Sequence, residues 1–309
     1  MNQTSNNLPK TLPAFQPNRR LNDPELYVPD SGLQAAVDVA LTLGQPLLLT
    51  GEPGVGKSQL AYYVAHHYAL GQPELVAVQT TSVAKDLFYR YDALGHFQYN
   101  QHEKSALVPE EIESRFIRYQ GIGAAIKSRK RKVVLIDEID KAPRDLPNDI
   151  LTALDRMSFE VPEIAKRYAG EEAEQPIVVI TSNSEKNLPD PFLRRVVYYH
   201  IPFPSEGDLL TILANKLYGG QQANRDYLKL LLDYFQTLRE DSFRLRKKPS
   251  TSELLLWADL LIKKNFAFDD FENPRLLSVE KKEVLKQSYS VLAKTQEDLQ
   301  ILYKSLENK

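Results

Sequence analysis

The sequence predicts an α/β fold in which a parallel sheet is covered by helices on both faces and followed by an all-helical region. Three observations lead there. Short, almost wholly apolar runs occur at 46–50, 75–78, 133–136, 177–181 and 196–201, each separated from the next by enough chain for a connecting helix. Such runs suit strands buried on both faces, the signature of a parallel sheet. A glycine-rich turn at 51–58 joins the first run to a segment with helical spacing, and after Pro204 the strand signals stop.

Taken in order, residues 1–24 are rich in Asn, Pro and Thr and read as an extended or partly disordered lead-in. Helical spacing follows at 32–43, before the first strand, and at 57–70, after the glycine turn. Behind Pro204 the segments 206–217, 225–239, 251–264 and 276–307 all read as helices. The expected division is therefore a lead-in over 1–24, an αβα core over 25–205 and a helical lid over 206–309. In the last helix Leu285, Leu292, Leu299 and Leu306 recur every seven residues, with Tyr289 and Tyr303 between them and Gln296 interrupting the seam. Packing on its own domain is the reading preferred over a coiled-coil contact.

Hydrophobic residues make up 42% and charged residues 26% of the 309, with a formal net charge of -2. That balance argues against attachment to nucleic acid by bulk electrostatics. The absence of cysteine excludes disulfides, thiolate metal sites and a cysteine nucleophile. No apolar run approaches the roughly 20 residues that cross a bilayer. The polar start MNQTSNNLPK does not resemble a signal peptide, so no membrane association and a cytoplasmic location are expected.

The chemistry centres on GEPGVGKS, which matches G-x-x-x-x-G-K-[ST] between a strand and a helix. Gly51, Glu52, Pro53, Gly54, Val55 and Gly56 form a loop whose N–H groups would turn toward phosphate oxygens. The helix starting near Lys57 would aim its positive end at the same charge, with Gln59 in its first turn. Lys57 would reach the β- and γ-phosphates, and Ser58 would place its hydroxyl on Mg²⁺, a hard ion that prefers oxygen ligands. Such a loop needs an acidic counterpart, which VVLIDEID supplies at the C-terminal end of a buried strand. Asp137 would hold the Mg²⁺ shell, and Glu138 would orient and deprotonate the attacking water.

The next apolar run delivers Asn183 to the same sheet edge. A neutral amide there can hold the lytic water or sense the γ-phosphate; an Asn that begins a turn is the other reading. Arg194 and Arg195 precede the final strand, where a guanidinium can stabilise phosphoryl-transfer charge in a neighbouring subunit or form a surface ion pair.

These elements, in this order, resemble the AAA+ ATPases. PLLLTGEPGVGKSQLA, VVLIDEIDKAPRDLPNDIL, FEVPEI and KKPSTSELLLWADLL resemble the MoxR branch more narrowly, especially its CoxD-like members, which serve the maturation of a molybdenum-containing dehydrogenase. The resemblance implies a P-loop NTPase core with five parallel strands in the order 5-1-4-3-2, a helical lid, ATP and Mg²⁺ as cofactors, and a homo-oligomeric, usually hexameric, ring. It implies Asn183 as the sensor-1 residue, and Arg195 before Arg194 as the arginine finger. It also implies a chaperone-like role on a protein client with a partner carrying a von Willebrand factor A domain. Residues 86–97 would form an insert facing the pore or the client. Lys248 is the candidate for the lid cation called sensor 2, although the stretch before PSTSE departs from the usual arginine.

Other functions stay in view: a nucleic-acid motor or loader, disfavoured by the near-neutral charge, and a nucleotide-state switch in a bacterial defence system. The basic run 127–132 reads as a solvated turn before a buried strand, and Trp257 as core.

Overall fold

The computed structural model describes residues 16–102, 107–183, 188–220, 224–240, 243–267, 270–271 and 277–307. Helix α1 (Ser31–Leu43) starts where the Asp30 carboxylate accepts from the Leu33 N–H, and it stops at the left-handed Gly44. Strand β1 (Leu47–Thr50), helix α2 (Lys57–His67) and strand β2 (Glu74–Ala77) follow. A smaller unit then intervenes: β3 (Tyr89–Tyr91), α3 (Ala93–His102), α4 (Pro109–Phe116), β4 (Ile117–Tyr119) and α5 (Gly121–Ser128). The chain re-enters the sheet with β5 (Val133–Asp137), crosses through α6 (Leu146–Arg156) and turns a hairpin from β6 (Ser158–Val161) to β7 (Lys166–Ala169). Strand β8 (Ile177–Thr181), the short α7 (Asp190–Leu193) and β9 (Val197–His200) complete the sheet.

The sheet runs β2-β5-β8-β1-β9 with every neighbouring pair parallel. Numbered by its own five strands, this is the expected order 5-1-4-3-2. The period of two along each strand sends alternate residues to opposite faces, and in the three central strands β1, β5 and β8 both faces are covered. Leu48, Val134, Ile136, Val178 and Ile180 pack with Ile122 and Ile126 of α5 and Ile150 of α6. Leu47, Leu49, Val133, Leu135 and Val179 pack with Leu33 of α1 and with Leu60 and Val64 of α2. Continuous apolar runs are therefore required.

Behind Pro204 the helices α8 (Glu206–Tyr218), α9 (Arg225–Arg239) and α10 (Thr251–Lys263) gather a separate core around Trp257, together with α11 (Val279–Leu292) and α12 (Gln296–Glu307). Trp257 is fully buried and donates to Ser288 Oγ at 2.8 Å, in line with its reading as core.

Four differences from the expected elements have physical causes. The helix expected over 276–307 is two helices: Ala293 is extended, and Thr295 Oγ1 accepts from the Asp298 N–H to start α12. Gln296 therefore opens a new helix, and Leu285, Tyr289 and Leu292 are buried in the lid core. Helix α2 ends at His67 because Ala69 takes a positive φ of 53°. Residues 16–24, expected as lead-in, include the 3-10 turn Arg19–Asn22 and are hydrogen-bonded to the lid; residues 1–15 lie outside the described residues. The antiparallel ribbons β3-β4 and β6-β7 were not expected as strands.

Candidate active site

Parallel pairing brings the ends of β1, β5 and β8 together, since Leu49 lies beside Thr181 and Ile136 beside Ile180. Glycine is required twice in the loop that leaves β1. Gly51 has φ 143° and lies so close to strand β9's exit that a Cβ would meet the Ile201 carbonyl oxygen at 2.5 Å. Gly56 has φ 96°, and its Cβ would approach the Tyr27 ring at 3.1 Å. Helix α2 begins there with no side-chain cap, so its first-turn N–H groups remain available to an anion.

Lys57 is buried, and its ammonium donates to Gly51 O at 2.9 Å, Glu52 O at 3.1 Å and Asn183 Oδ1 at 2.9 Å. Burial lowers its pKa, against the attraction of Asp137, Asp140 and Glu138. Ser58 Oγ donates to Asp137 Oδ1 at 2.8 Å, and Thr181 Oγ1 donates to the same oxygen at 2.5 Å. Thr181 Oγ1 also accepts from the Glu138 N–H at 3.0 Å. Glu138 sits in the left-handed region at φ 60°, and Lys141 holds its carboxylate at 2.5 Å. Asp140 accepts from the Asn183 N–H at 3.0 Å and from Ser182 Oγ at 3.2 Å, which fixes the backbone that carries the Asn183 amide. Asn183 thus reaches into the site instead of merely opening a turn.

The donor set fits the implied cofactors. A hydroxyl and a carboxylate in mutual contact suit Mg²⁺, which takes oxygen ligands. The buried ammonium, already meeting three oxygens, suits phosphate. Ser58 and Asp137 would hold the ion, which would neutralise charge on the phosphates, and the 51–58 loop with Lys57 would hold the nucleotide.

These groups open on a cavity of about 1170 Å³ lined by residues 53–59, Asp137, Glu138, Thr181 and Asn183. Its remaining wall comes from Tyr27 and its neighbours, from Ile212 of α8 and from Thr251 and Leu255 of α10. Lys248, the residue expected as sensor 2, is not among the residues that line the cavity. The N–H groups of the preceding Arg246 and Lys247 bind Asp298 of α12. Among the described residues, Arg239 is the lid cation that ion-pairs with the loop. It ion-pairs with Glu52 at 3.3 Å, donates to Pro249 O and lies 3.6 Å over the Phe203 ring centroid. The lid also touches the loop through the Ser252 N–H, which donates to Gly54 O at 3.2 Å.

Arg194 and Arg195 do not line this cavity. Arg195 is ion-paired to Asp155 of α6, whereas Arg194 is exposed and its guanidinium has no partner among the described residues. Sequence reasoning missed Thr181, Asp140 and Arg239. The first two were within reach, as the residue ending β8 and the last acid of DEID.

The sheet order, the loop and the acidic strand end together define a P-loop nucleotide-binding fold of the AAA+ class. Residues 46–196 match the AAA domain of the dynein-related subfamily. No curated protein matches the sequence significantly. Among solved structures, two point variants of Thermotoga maritima RuvB are similar to it, each at 15% identity over 85% of this chain and 70% of theirs, with TM-scores of 0.45 and 0.44. Among the described residues no helix is long and apolar enough to cross a membrane.

Proposed function

We propose that this chain is a Mg²⁺-dependent, MoxR-type ATPase that works in a homo-oligomeric ring and uses hydrolysis to remodel or mature a protein client. The observation that carries the ATPase reading is the meeting of Ser58, Asp137 and Thr181 at one carboxylate oxygen, with Lys57 and Asn183 joined beside it. In this reading Lys57 neutralises the β- and γ-phosphates, Asn183 holds the attacking water or the γ-phosphate, and Glu138 accepts the water's proton once it leaves Lys141.

The ring reading is compatible with the position of Arg194 and Arg195 outside their own chain's cavity, from which a guanidinium could reach a neighbouring subunit's site. With Arg195 tied to Asp155, Arg194 becomes the first choice for the finger. The client and a partner with a von Willebrand factor A domain rest on the sequence resemblance alone.

Steady-state hydrolysis and nucleotide binding test the reading together. Lys57→Ala should lose both, whereas Glu138→Gln should bind ATP and turn over at least about a hundredfold more slowly. Wild-type turnover in both variants would overturn it. Stimulation by DNA or RNA that falls steeply with salt would replace the client by a polynucleotide.

A further inference from the structure

Away from the cavity, a cleft of about 210 Å³ lies along β2, one of the two edge strands of the sheet. The Val78 N–H bonds Asp137 O, so alternation along a parallel strand directs the Leu75 and Ala77 N–H groups to the free edge. Leu75 is 48% exposed, and Ala77 is exposed as well. The opposite wall is the β3-β4 ribbon, where Arg90 and Arg118 are directly paired across the ladder and both line the cleft.

Like charges facing each other on adjacent strands destabilise a sheet. Here nothing local offsets them: neither guanidinium makes an ion pair or a side-chain hydrogen bond with a described residue, although Asp86 lines the same cleft. On the other face of the ribbon Tyr89, Tyr119 and Ile117 pack into the core, so the arginines are held in place by a rigid support.

We propose that this cleft binds an extended acidic segment of a protein partner, added as a strand beside β2. Main-chain bonds to the Leu75 and Ala77 N–H groups would set its direction. Its carboxylates, presented every second residue, would meet Arg90 and Arg118, and an apolar side chain would cover Leu75. The mixture favours a peptide over a polynucleotide, because edge amides beside the exposed apolar Leu75 suit a main chain with alternating side chains and have no use for a continuous phosphate backbone. The inference does not depend on the ATPase reading.

The test uses the full chain and a fluorescein-labelled decapeptide of alternating Glu and Thr, followed by fluorescence polarisation. Binding should weaken at least about tenfold in Arg90→Gln/Arg118→Gln, and likewise between about 50 mM and 500 mM salt. The double variant should keep the wild-type melting temperature or exceed it, since a repulsion is removed. Bound peptide should slow hydrogen exchange at Leu75 and Ala77. Equal binding by the double variant, no binding at about millimolar peptide, or unchanged exchange along β2 would overturn the proposal. So would displacement of the peptide by inorganic phosphate or an oligonucleotide at equal charge, which would make the site a general anion or nucleic-acid surface.

Discussion

Replacing Glu113 by Gln tests how the β3-β4 unit is fastened to the β6-β7 hairpin. Glu113 is 15% exposed and accepts from Lys127, from Lys166 at 3.0 Å, from Tyr119 at 3.0 Å and from Tyr168 at 2.7 Å. Burial alone pushes its carboxyl upward, but these four donors outweigh it and bring the pKa from 4.5 to about 2. A value depressed in the folded state contributes stability that is complete above the unfolded pKa and is lost as pH falls toward the folded one. The interval corresponds to roughly 3 kcal/mol, which half-exposed lysines on two sides reduce to about 2 kcal/mol. Glu113→Gln keeps the shape and removes the charge. Urea unfolding followed by far-ultraviolet circular dichroism should show that loss at neutral pH, shrinking toward zero as pH drops from 4.5 to 2. Fluorescence of Trp257, the only tryptophan and fully buried in the lid, reports the other core and should move less. A loss below about 0.5 kcal/mol at neutral pH, or one that stays constant down to about pH 3, would refute the reasoning.

Three further outcomes are expected. Thr181→Val removes both bonds that Thr181 makes to the 137–138 pair; steady-state kinetics should show kcat reduced about tenfold, and an unchanged kcat would remove Thr181 from the site. Arg239→Ala should raise the KM for ATP several-fold; the ion pair with exposed Glu52 accounts for about 1 kcal/mol or less of any loss in the lid's urea transition, the rest coming from the contacts with Pro249 O and the Phe203 ring. Mixing Arg194→Ala subunits with Lys57→Ala subunits should restore about a quarter of wild-type hydrolysis, the fraction of interfaces that combine an intact loop with an intact finger. No recovery on mixing, or full activity of Arg194→Ala alone, would place the finger elsewhere.

Much of the fold was legible because strands covered on both faces must be continuously apolar, and the 51–58 loop admits few alternatives at its glycines. Asp137 and Glu138 followed from their place at a strand end. The ribbons were not legible. Their strands are three or four residues long, and Tyr89 finds its partner Tyr119 only after two intervening helices. The hairpin turns through Ala165 at a positive φ of 52°, where no glycine or asparagine announces it. Arg239 reads locally as the basic end of a helix; its contact with Glu52 exists only once α9 is folded back on the loop. Asp140 reads as one more acid in DEID until Asn183, just beyond the end of β8, comes to rest against it.

The segment that walls the cavity at Tyr27 also binds the lid. Lys216 donates to Asp23 O at 2.7 Å, Asn18 to Asp259 at 3.0 Å and Lys263 to Gln16 O at 2.6 Å. On the core side, Glu25 meets His66 of α2 at 3.1 Å and Tyr27 packs on Tyr63. A short tether gripped at both ends makes two degrees of freedom into one. Rotating the lid on its own would break these bonds, which couples lid angle to pocket width. A ligand that fills the pocket sets both at once.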